Sequence, residues 1–289
     1  MQKKIAFVVN KGSGPNRNID HEHFIEEEVG TGAIIIYWQS VEQVREDVNR
    51  LVEQGIDIIV AIGGDGAVSY IAGLIANKDV TLCIIPIGSG NGLARHLSIP
   101  LKISNALSLL STGKTISIDS VNINGRKFFC TAGVGFDAHL GNIFANSRKR
   151  GFVTYVKLAI TEFFNFKCRN YKIRIDDVDV RVEAFLISFC NATQYGNDVH
   201  IAPQADISDG EVDIVVLKPF NFFKSVYLFY LLKNGRIGES KYIQSYKGKA
   251  GVISIEGQEN VHFDGEVERM GPDLSFEVDP GSLKVLVPK

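Results

Sequence analysis

The sequence predicts an α/β fold in two parts. The first is an N-terminal doubly wound, three-layer α/β domain with glycine-rich loops, and the second a C-terminal antiparallel β-sandwich domain. Three observations carry that prediction. The stretch Ile56–Ala72 reads as a buried parallel strand, a glycine loop and a helix, and the same pattern returns from Leu82 to Leu97. After Gly113 this alternation gives way to short strands separated by turns, opened by the hairpin signal Asn124-Gly125. With 289 residues, 45% of them hydrophobic, the chain is long and apolar enough for two domains. The expected boundaries are 1–115 and 116–280, with a strand at 281–289 as the candidate to return to the first domain.

In chain order, Lys4–Val9 is strand-like and runs into Asn10-Lys11-Gly12-Ser13-Gly14-Pro15-Asn16-Arg17. These turn formers and two cations suit an anion loop or an ordinary strand-to-helix turn. His21–Val29 reads as a helix, with His21 and His23 among charged, solvated neighbours, and Ala33–Trp38 as a strand. Val41–Gln54 repeats apolar residues at Val41, Val44, Val48, Leu51 and Val52, an amphipathic helix period. The central strand then ends in Gly63-Gly64-Asp65-Gly66, where the glycines allow backbone N–H groups to approach a ligand and the next helix contributes a positive dipole end. No Lys-Ser or Lys-Thr follows and no G-x-G-x-x-G spacing fits, which disfavours a P-loop ATPase and a Rossmann dehydrogenase. Asp65 either holds a metal or takes a proton, or else caps the helix; the stretch alone leaves both open.

Leu82–Ile87 is a further strand leading into Gly88-Ser89-Gly90-Asn91-Gly92. In a doubly wound sheet the loops at Asn10, Gly63 and Gly88 face one crevice beyond the C-terminal strand ends. In the second domain Thr115–Ile123 and Lys127–Thr131 flank the hairpin turn, and Tyr171–Ile175 and Val180–Phe189 flank an acidic one. Val212–Leu217, Gly251–Ile255, Leu274–Val278 and Leu283–Val287 are further strands, and Phe152–Phe166 is an interrupting apolar helix. Three polar clusters stand out: Gly133–Ala138, Ala202–Glu211 and His262–Glu266. Each on its own also reads as a surface turn.

Composition excludes several function classes. A net charge of −2 with scattered Lys and Arg argues against nucleic acid as a partner. Cys83, Cys130, Cys168 and Cys190 form no C-x-x-C pair and read as reduced thiols, hence a cytoplasmic protein. Met1–Lys4 leads straight into a strand, so no signal peptide is expected. The apolar stretches Phe152–Phe166 and Pro219–Leu232 are interrupted by Lys157, Glu162 and Lys224 and fall short of the ~20 residues of a spanning helix. Peripheral membrane contact stays open, with Arg148-Lys149-Arg150 beside the first of these stretches as a candidate patch, and so does a homodimer.

Taken together, the motifs resemble the diacylglycerol kinase catalytic family, which includes sphingosine and ceramide kinases and bacterial lipid kinases. The family's first loop corresponds to Asn10–Gly14, its Gly-Gly-Asp-Gly loop to Gly63–Gly66, and its Pro-x-Gly-Ser/Thr-x-Asn loop to Pro86–Asn91. Its Ala-Pro-x-Ala-x-x-x-Asp-Gly segment corresponds to Ala202–Gly210 and its late Asp-Gly-Glu to Asp264–Glu266. The resemblance runs over essentially the whole chain. It implies an ATP-dependent kinase acting on a lipid hydroxyl, with nucleotide held by Asn10, Lys11, Gly12, Ser13, Gly14, Ser40, Gly63, Gly64, Asp65, Gly66, Ala67, Ser89 and Asn91. Glu266 matches the family's proton acceptor, with Asp65 the second carboxylate assigned to catalysis. Mg²⁺ is implied at Asp209, with Asp206 and Glu211 giving backbone oxygens.

Four positions depart from the family pattern. Ala67 replaces the usual Thr, Gly92 the Asp of bacterial diacylglycerol kinases, and Lys11 the Pro of the first loop. Gly88–Ala94 is closer to the sphingosine and ceramide kinase branch, yet His139 stands where those enzymes carry an acidic residue. The readings carried forward are a lipid kinase, a non-catalytic nucleotide or lipid sensor of the same fold, and NAD kinase, which shares the Gly-Gly-Asp-Gly loop.

Overall fold

A computed structural model describes residues 3–12, 33–147 and 152–289. The predicted helix His21–Val29, the loop residues Ser13 and Gly14, and Arg148-Lys149-Arg150 lie outside the described residues. The chain divides into two compact units, Met1–Ser120 with Asp279–Lys289, and Val121–Val278.

In the first unit β1 (Ile5–Val9), β2 (Ile34–Tyr37), β3 (Ile58–Gly63) and β4 (Thr81–Pro86) pair in parallel in the order β2-β1-β3-β4. Every residue of β3 is buried, as its unbroken apolar run requires. The end of the terminal strand Asp273–Val287 extends this sheet, pairing Lys284 with Thr81 and Val285 with Leu82. Helix α1 (Val41–Glu53) buries Val44, Val48 and Leu51, and α2 (Asp65–Ile75) buries Ala67, Val68, Ile71, Ala72 and Ile75. Three short helices follow: α3 (Gly92–His96), α4 (Ile103–Leu107) and α5 (Leu109–Thr112).

Strand β5 (Lys114–Ile123) leads into the second unit and turns back into β6 (Arg126–Phe128) through Asn124 and Gly125, whose φ values of 51° and 90° are the paired left-handed conformations of a tight hairpin. The elements that follow are β7 (Thr131–Gly135), α6 (Phe136–Ala145), α7 (Phe152–Asn165), β8 (Arg169–Ile175), β9 (Val178–Ala184), β10 (Leu186–Cys190), β11 (Val212–Leu217), α8 (Ser225–Lys233), β12 (Ile243–Gly248), β13 (Ala250–Ser254), β14 (Glu259–Phe263) and β15 (Glu266–Met270). One sheet runs β12-β11-β10-β7-β14-β15, and the other pairs the start of the terminal strand with β13, β8 and β9, all antiparallel. Val134, Ile187, Phe189, Ile214 and Phe263 from the first sheet share one core with Tyr171, Ile173, Ile253 and Phe276 from the second. Such face-to-face packing makes this unit an antiparallel sandwich.

Three details differ from the sequence reading. Val180–Phe189 is two strands, because β9 pairs with β8 in one sheet while β10 pairs with β7 and β11 in the other. Leu274–Val278 and Leu283–Val287 are parts of one continuous strand that pairs in both units. The second unit also carries α6 and α8 beside α7; α6 was hidden in a cluster read as polar and α8 in a stretch read only as apolar. No helix among the described residues is long and apolar enough to cross a membrane.

Candidate active site

One group of candidate residues is built where β1, β3 and β4 end side by side. Asn10 N–H donates to the Ile62 carbonyl (2.9 Å), and Ile87 N–H to the Gly63 carbonyl (3.0 Å), so consecutive loops are tied to one another. The loops are too close for side chains. A Cβ on Gly88 would lie 2.6 Å from the Gly64 Cα, and one on Gly63 would lie 2.7 Å from the Ala67 Cβ. At Gly88 the glycine is required by backbone approach, and at Gly63 by the packed Ala67 side chain.

Asp65 joins two of these loops. Its Oδ2 accepts from Asn91 N–H (2.8 Å) and its Oδ1 from Gly92 N–H (2.7 Å). The carboxylate therefore serves the start of α3 rather than its own helix, which begins at Gly64 without a side-chain cap. Asn91, left-handed at φ 51°, donates its side-chain amide to the Gly88 carbonyl (2.8 Å), and Arg95 Nε–H donates to the Gly90 carbonyl (3.1 Å). The N-terminus of α2, whose first N–H groups have no intrahelical acceptor, lies within this framework and suits phosphate.

The other nucleotide candidates have local anchors. Asn10 Oδ1 accepts from Gly12 N–H (3.0 Å), and the Lys11 ammonium lies 4.0 Å from the centre of the Tyr37 ring. Ser40 caps α1, its hydroxyl oxygen accepting from Gln43 N–H (3.1 Å). Ser89 is exposed and Ala67 buried.

In the second unit, Asp264 and Glu266 lie two residues apart in opposite situations. The Asp264 carboxylate is buried and accepts from Phe129 N–H (3.0 Å), Cys130 N–H (2.8 Å) and Thr131 N–H (3.0 Å). Asp264 and Gly265, at φ 48° and 93°, form the turn that delivers Glu266 to the start of β15. Glu266 is 53% exposed and pairs with Arg126 (Nη2 to Oε2, 2.9 Å), while Arg126 Nε lies 3.1 Å from Glu268 Oε1. Partial burial of its carboxyl raises the Glu266 pKa above the ordinary value, against the lowering effect of Arg126.

A second network joins the first and third polar clusters. Asp137 Oδ2 accepts from the Tyr195 hydroxyl (3.1 Å) and lies 3.0 Å from His262 Nε2, while Oδ1 accepts from Ala138 N–H (2.8 Å). Burial and the neighbouring Asp137 charge hold the Tyr195 phenol well above its ordinary pKa, so it is a hydrogen-bond donor throughout the physiological range. His139 is bonded to Glu162 of α7 (2.8 Å).

The segment expected to hold metal is balanced from within the chain. Asp206 Oδ1 accepts from Ser208 N–H (3.0 Å) and the Ser208 hydroxyl (2.8 Å), and Asp209 Oδ1 from Glu211 N–H (3.0 Å). The Lys247 ammonium sits on Asp209 Oδ2, with Glu211 Oε2 at 3.8 Å. Among the described residues no group of three or more His, Cys, Asp or Glu is arranged to hold a metal ion. A divalent ion would reach Asp209 by displacing Lys247. The sequence reading missed Arg126, Tyr195 and Lys247; a signal existed for Arg126, which directly follows the Asn124-Gly125 turn.

Comparison with known proteins decides the family. Residues 4–123 match the model of the diacylglycerol kinase catalytic domain, and residues 130–287 that of the YegS C-terminal NAD kinase beta sandwich-like domain. The chain belongs to the diacylglycerol kinase catalytic family. Similar members are a Pseudomonas aeruginosa protein described as "Probable lipid kinase YegS-like", 28% identical with 99% of this chain and 94% of that protein covered, and a Mycobacterium tuberculosis "Diacylglycerol kinase", 29% identical with 90% and 86% covered. The fold of this lipid kinase family chain also matches a crystal structure of a diacylglycerol kinase from Bacillus anthracis, with TM-score 0.73, 20% identity and coverage of 99% and 97%.

Proposed function

We propose that this lipid kinase family member transfers the γ-phosphoryl group of ATP, taken as its Mg²⁺ complex, to the hydroxyl of a lipid alcohol such as diacylglycerol or a sphingoid base. The observation that carries this reading is the interlocked set of glycine loops at the ends of β1, β3 and β4, held by Asp65 around the N-terminus of α2. Asn10–Gly14, Gly63–Ala67, Ser89 and Asn91 cradle the phosphates, with Ser40 at the rim, and Asp65 positions the two loops.

The lipid hydroxyl oxygen attacks the γ-phosphorus as the bond to the β,γ-bridging oxygen breaks, and ADP departs. Glu266 takes the hydroxyl proton, a role suited to a carboxylate that is partly exposed and whose pKa burial raises above the ordinary value. Mg²⁺ supplies charge neutralisation on the phosphates. Asp209, with Asp206 and Glu211, is the segment proposed to take a divalent ion once Lys247 gives way. The enzyme works from the cytoplasm and meets its lipid at a membrane surface.

Release of ADP from ATP, measured over a panel of lipid alcohols in mixed micelles and over NAD, tests the reading. ADP release that depends on a lipid alcohol is the expected result. Dependence on NAD, or nucleotide binding without turnover on any acceptor, replaces the reading with NAD kinase or with a sensor.

A further inference from the structure

We propose that the outward face of α8, together with the turn Phe222–Lys224 and the outer side of α7, docks onto a bilayer containing anionic phospholipid. An adjoining pocket seats the phosphate of a lipid headgroup. The choice of a bilayer as occupant rests on the lipid-kinase reading.

The periodicity of α8 is the first observation. Phe223, Val226, Tyr227 and Tyr230 follow the i, i+3, i+4, i+7 spacing of one helix face, and all are exposed, Phe223 by 84% and Val226 by 78%. On the inner side Leu228 and Leu231 are buried in a cluster with Phe185 and Leu217. The helix is therefore apolar inside and out, whereas a helix facing only water carries polar residues on its outer side.

The outward stripe continues onto a second helix. Val156, Ile160 and Phe164, spaced i, i+4, i+8 on α7, are exposed, and Phe164, 67% exposed, packs against Phe222 with the rings tilted and their centres 4.8 Å apart. A continuous apolar face drawn from two helices is larger than scattered exposed residues produce. Tyrosines at its border are suited to the boundary between acyl chains and headgroups.

Charge selects the partner. Beside the stripe lies a pocket of about 370 Å³ lined by Lys224, Tyr227, Glu239, Ser240, Lys241 and Tyr242. Arg236 holds Glu239 through two bonds of 2.7 and 2.8 Å, whereas Lys224 and Lys241 form no ion pair with a described residue. Two ammonium groups with hydroxyl donors from Tyr227, Tyr242 and Ser240 suit a phosphate, and their place next to the apolar face suits one carried on a lipid.

Flotation with phosphatidylcholine vesicles, with and without phosphatidylglycerol, tests the proposal. The wild-type chain is expected to float with the mixed vesicles, Phe223→Ser/Val226→Ser to partition at least about tenfold less, and Lys224→Glu/Lys241→Glu to lose the preference for phosphatidylglycerol. Turnover of a short-chain, monomeric lipid alcohol should be unchanged in both variants, and circular dichroism should show them folded. Phe223→Trp gives a second readout, a blue shift of its fluorescence on adding mixed vesicles.

Wild-type flotation by the stripe variant, or no blue shift, overturns the docking face. A stripe variant that dissociates a wild-type dimer while vesicle binding stays unchanged also overturns it, in favour of a second copy on that face. Stripe-dependent flotation of a chain that turns over no lipid alcohol would leave the docking face standing and remove the kinase reading.

Discussion

Asp65 in the first unit and Glu266 in the second are both carboxylates that follow a glycine, and the structure gives them opposite surroundings. Each oxygen of Asp65 receives a backbone N–H, at 2.7 and 2.8 Å, from a loop 26 and 27 residues further along the chain. Glu266 has no such amides; it is half exposed, held by one arginine, and its pKa is raised. The difference separates architecture from reactivity. A carboxylate saturated by backbone donors fixes loops, whereas one in a partly dry, cation-steadied position can exchange a proton. Asp264, with three backbone donors, belongs with Asp65 although it adjoins Glu266 in sequence.

Removing an architectural carboxylate should cost stability first. Asp264→Ala orphans three buried N–H groups and should lower the unfolding free energy by about 3–5 kcal/mol, read by denaturant unfolding. A loss under about 1 kcal/mol would place Asp264 outside the architectural group.

Asp65→Asn turns one acceptor into a donor facing an N–H group. It should cost about 1.5–3 kcal/mol and weaken ATP binding as the Gly88–Gly92 loop shifts, measured by unfolding and nucleotide titration. Unchanged ATP affinity would detach this clamp from the nucleotide site.

A smaller effect is expected at the Asp206–Glu211 turn. Lys247→Met frees Asp209 and should tighten Mg²⁺ binding about three- to tenfold, the scale of a part-exposed ion pair, read as a metal-dependent rise in melting temperature. No change in metal response would remove this turn from the metal proposal.

The smallest stability change, about 1 kcal/mol, belongs to Arg126→Ala, which breaks a part-exposed pair. Its pH signature is nonetheless specific. Arg126 lowers the Glu266 pKa, while burial and the Glu268 and Asp264 charges raise it. Without Arg126 that pKa rises further, so the base protonates sooner as pH falls. The acid limb of turnover should therefore move to higher pH; a shift to lower pH would contradict the assignment.

The sequence made the strand, loop and helix grammar legible because its signals are local. The β-branched run before Gly63, the amphipathic period of α1 and the Asn124-Gly125 hairpin each depend on neighbours within a few residues. Residues that meet only after folding were not legible. The partners of Asp65 are Asn91 and Gly92, whereas the sequence offers it a metal, a proton or its own helix end and leaves out backbone amides from a second loop. Lys247 reaches Asp209 across 38 residues because β12 pairs with β11. The strand break near Phe185 is marked locally only by the change from the alternating Arg181 and Glu183 of β9 to the largely apolar run of β10, and sheet membership separates the two.

The comparison rests on Glu266 as the reactive carboxylate, and the pH profile of lipid-dependent ADP release in wild-type and Glu266→Gln protein tests that most directly. The expected result is a wild-type acid limb above the ordinary glutamate value of 4.5, absent in the variant. The variant should also turn over about 10²- to 10⁴-fold more slowly with unchanged ATP affinity. Near-normal turnover with the acid limb intact in Glu266→Gln would contradict the account and move the proton acceptor to another group.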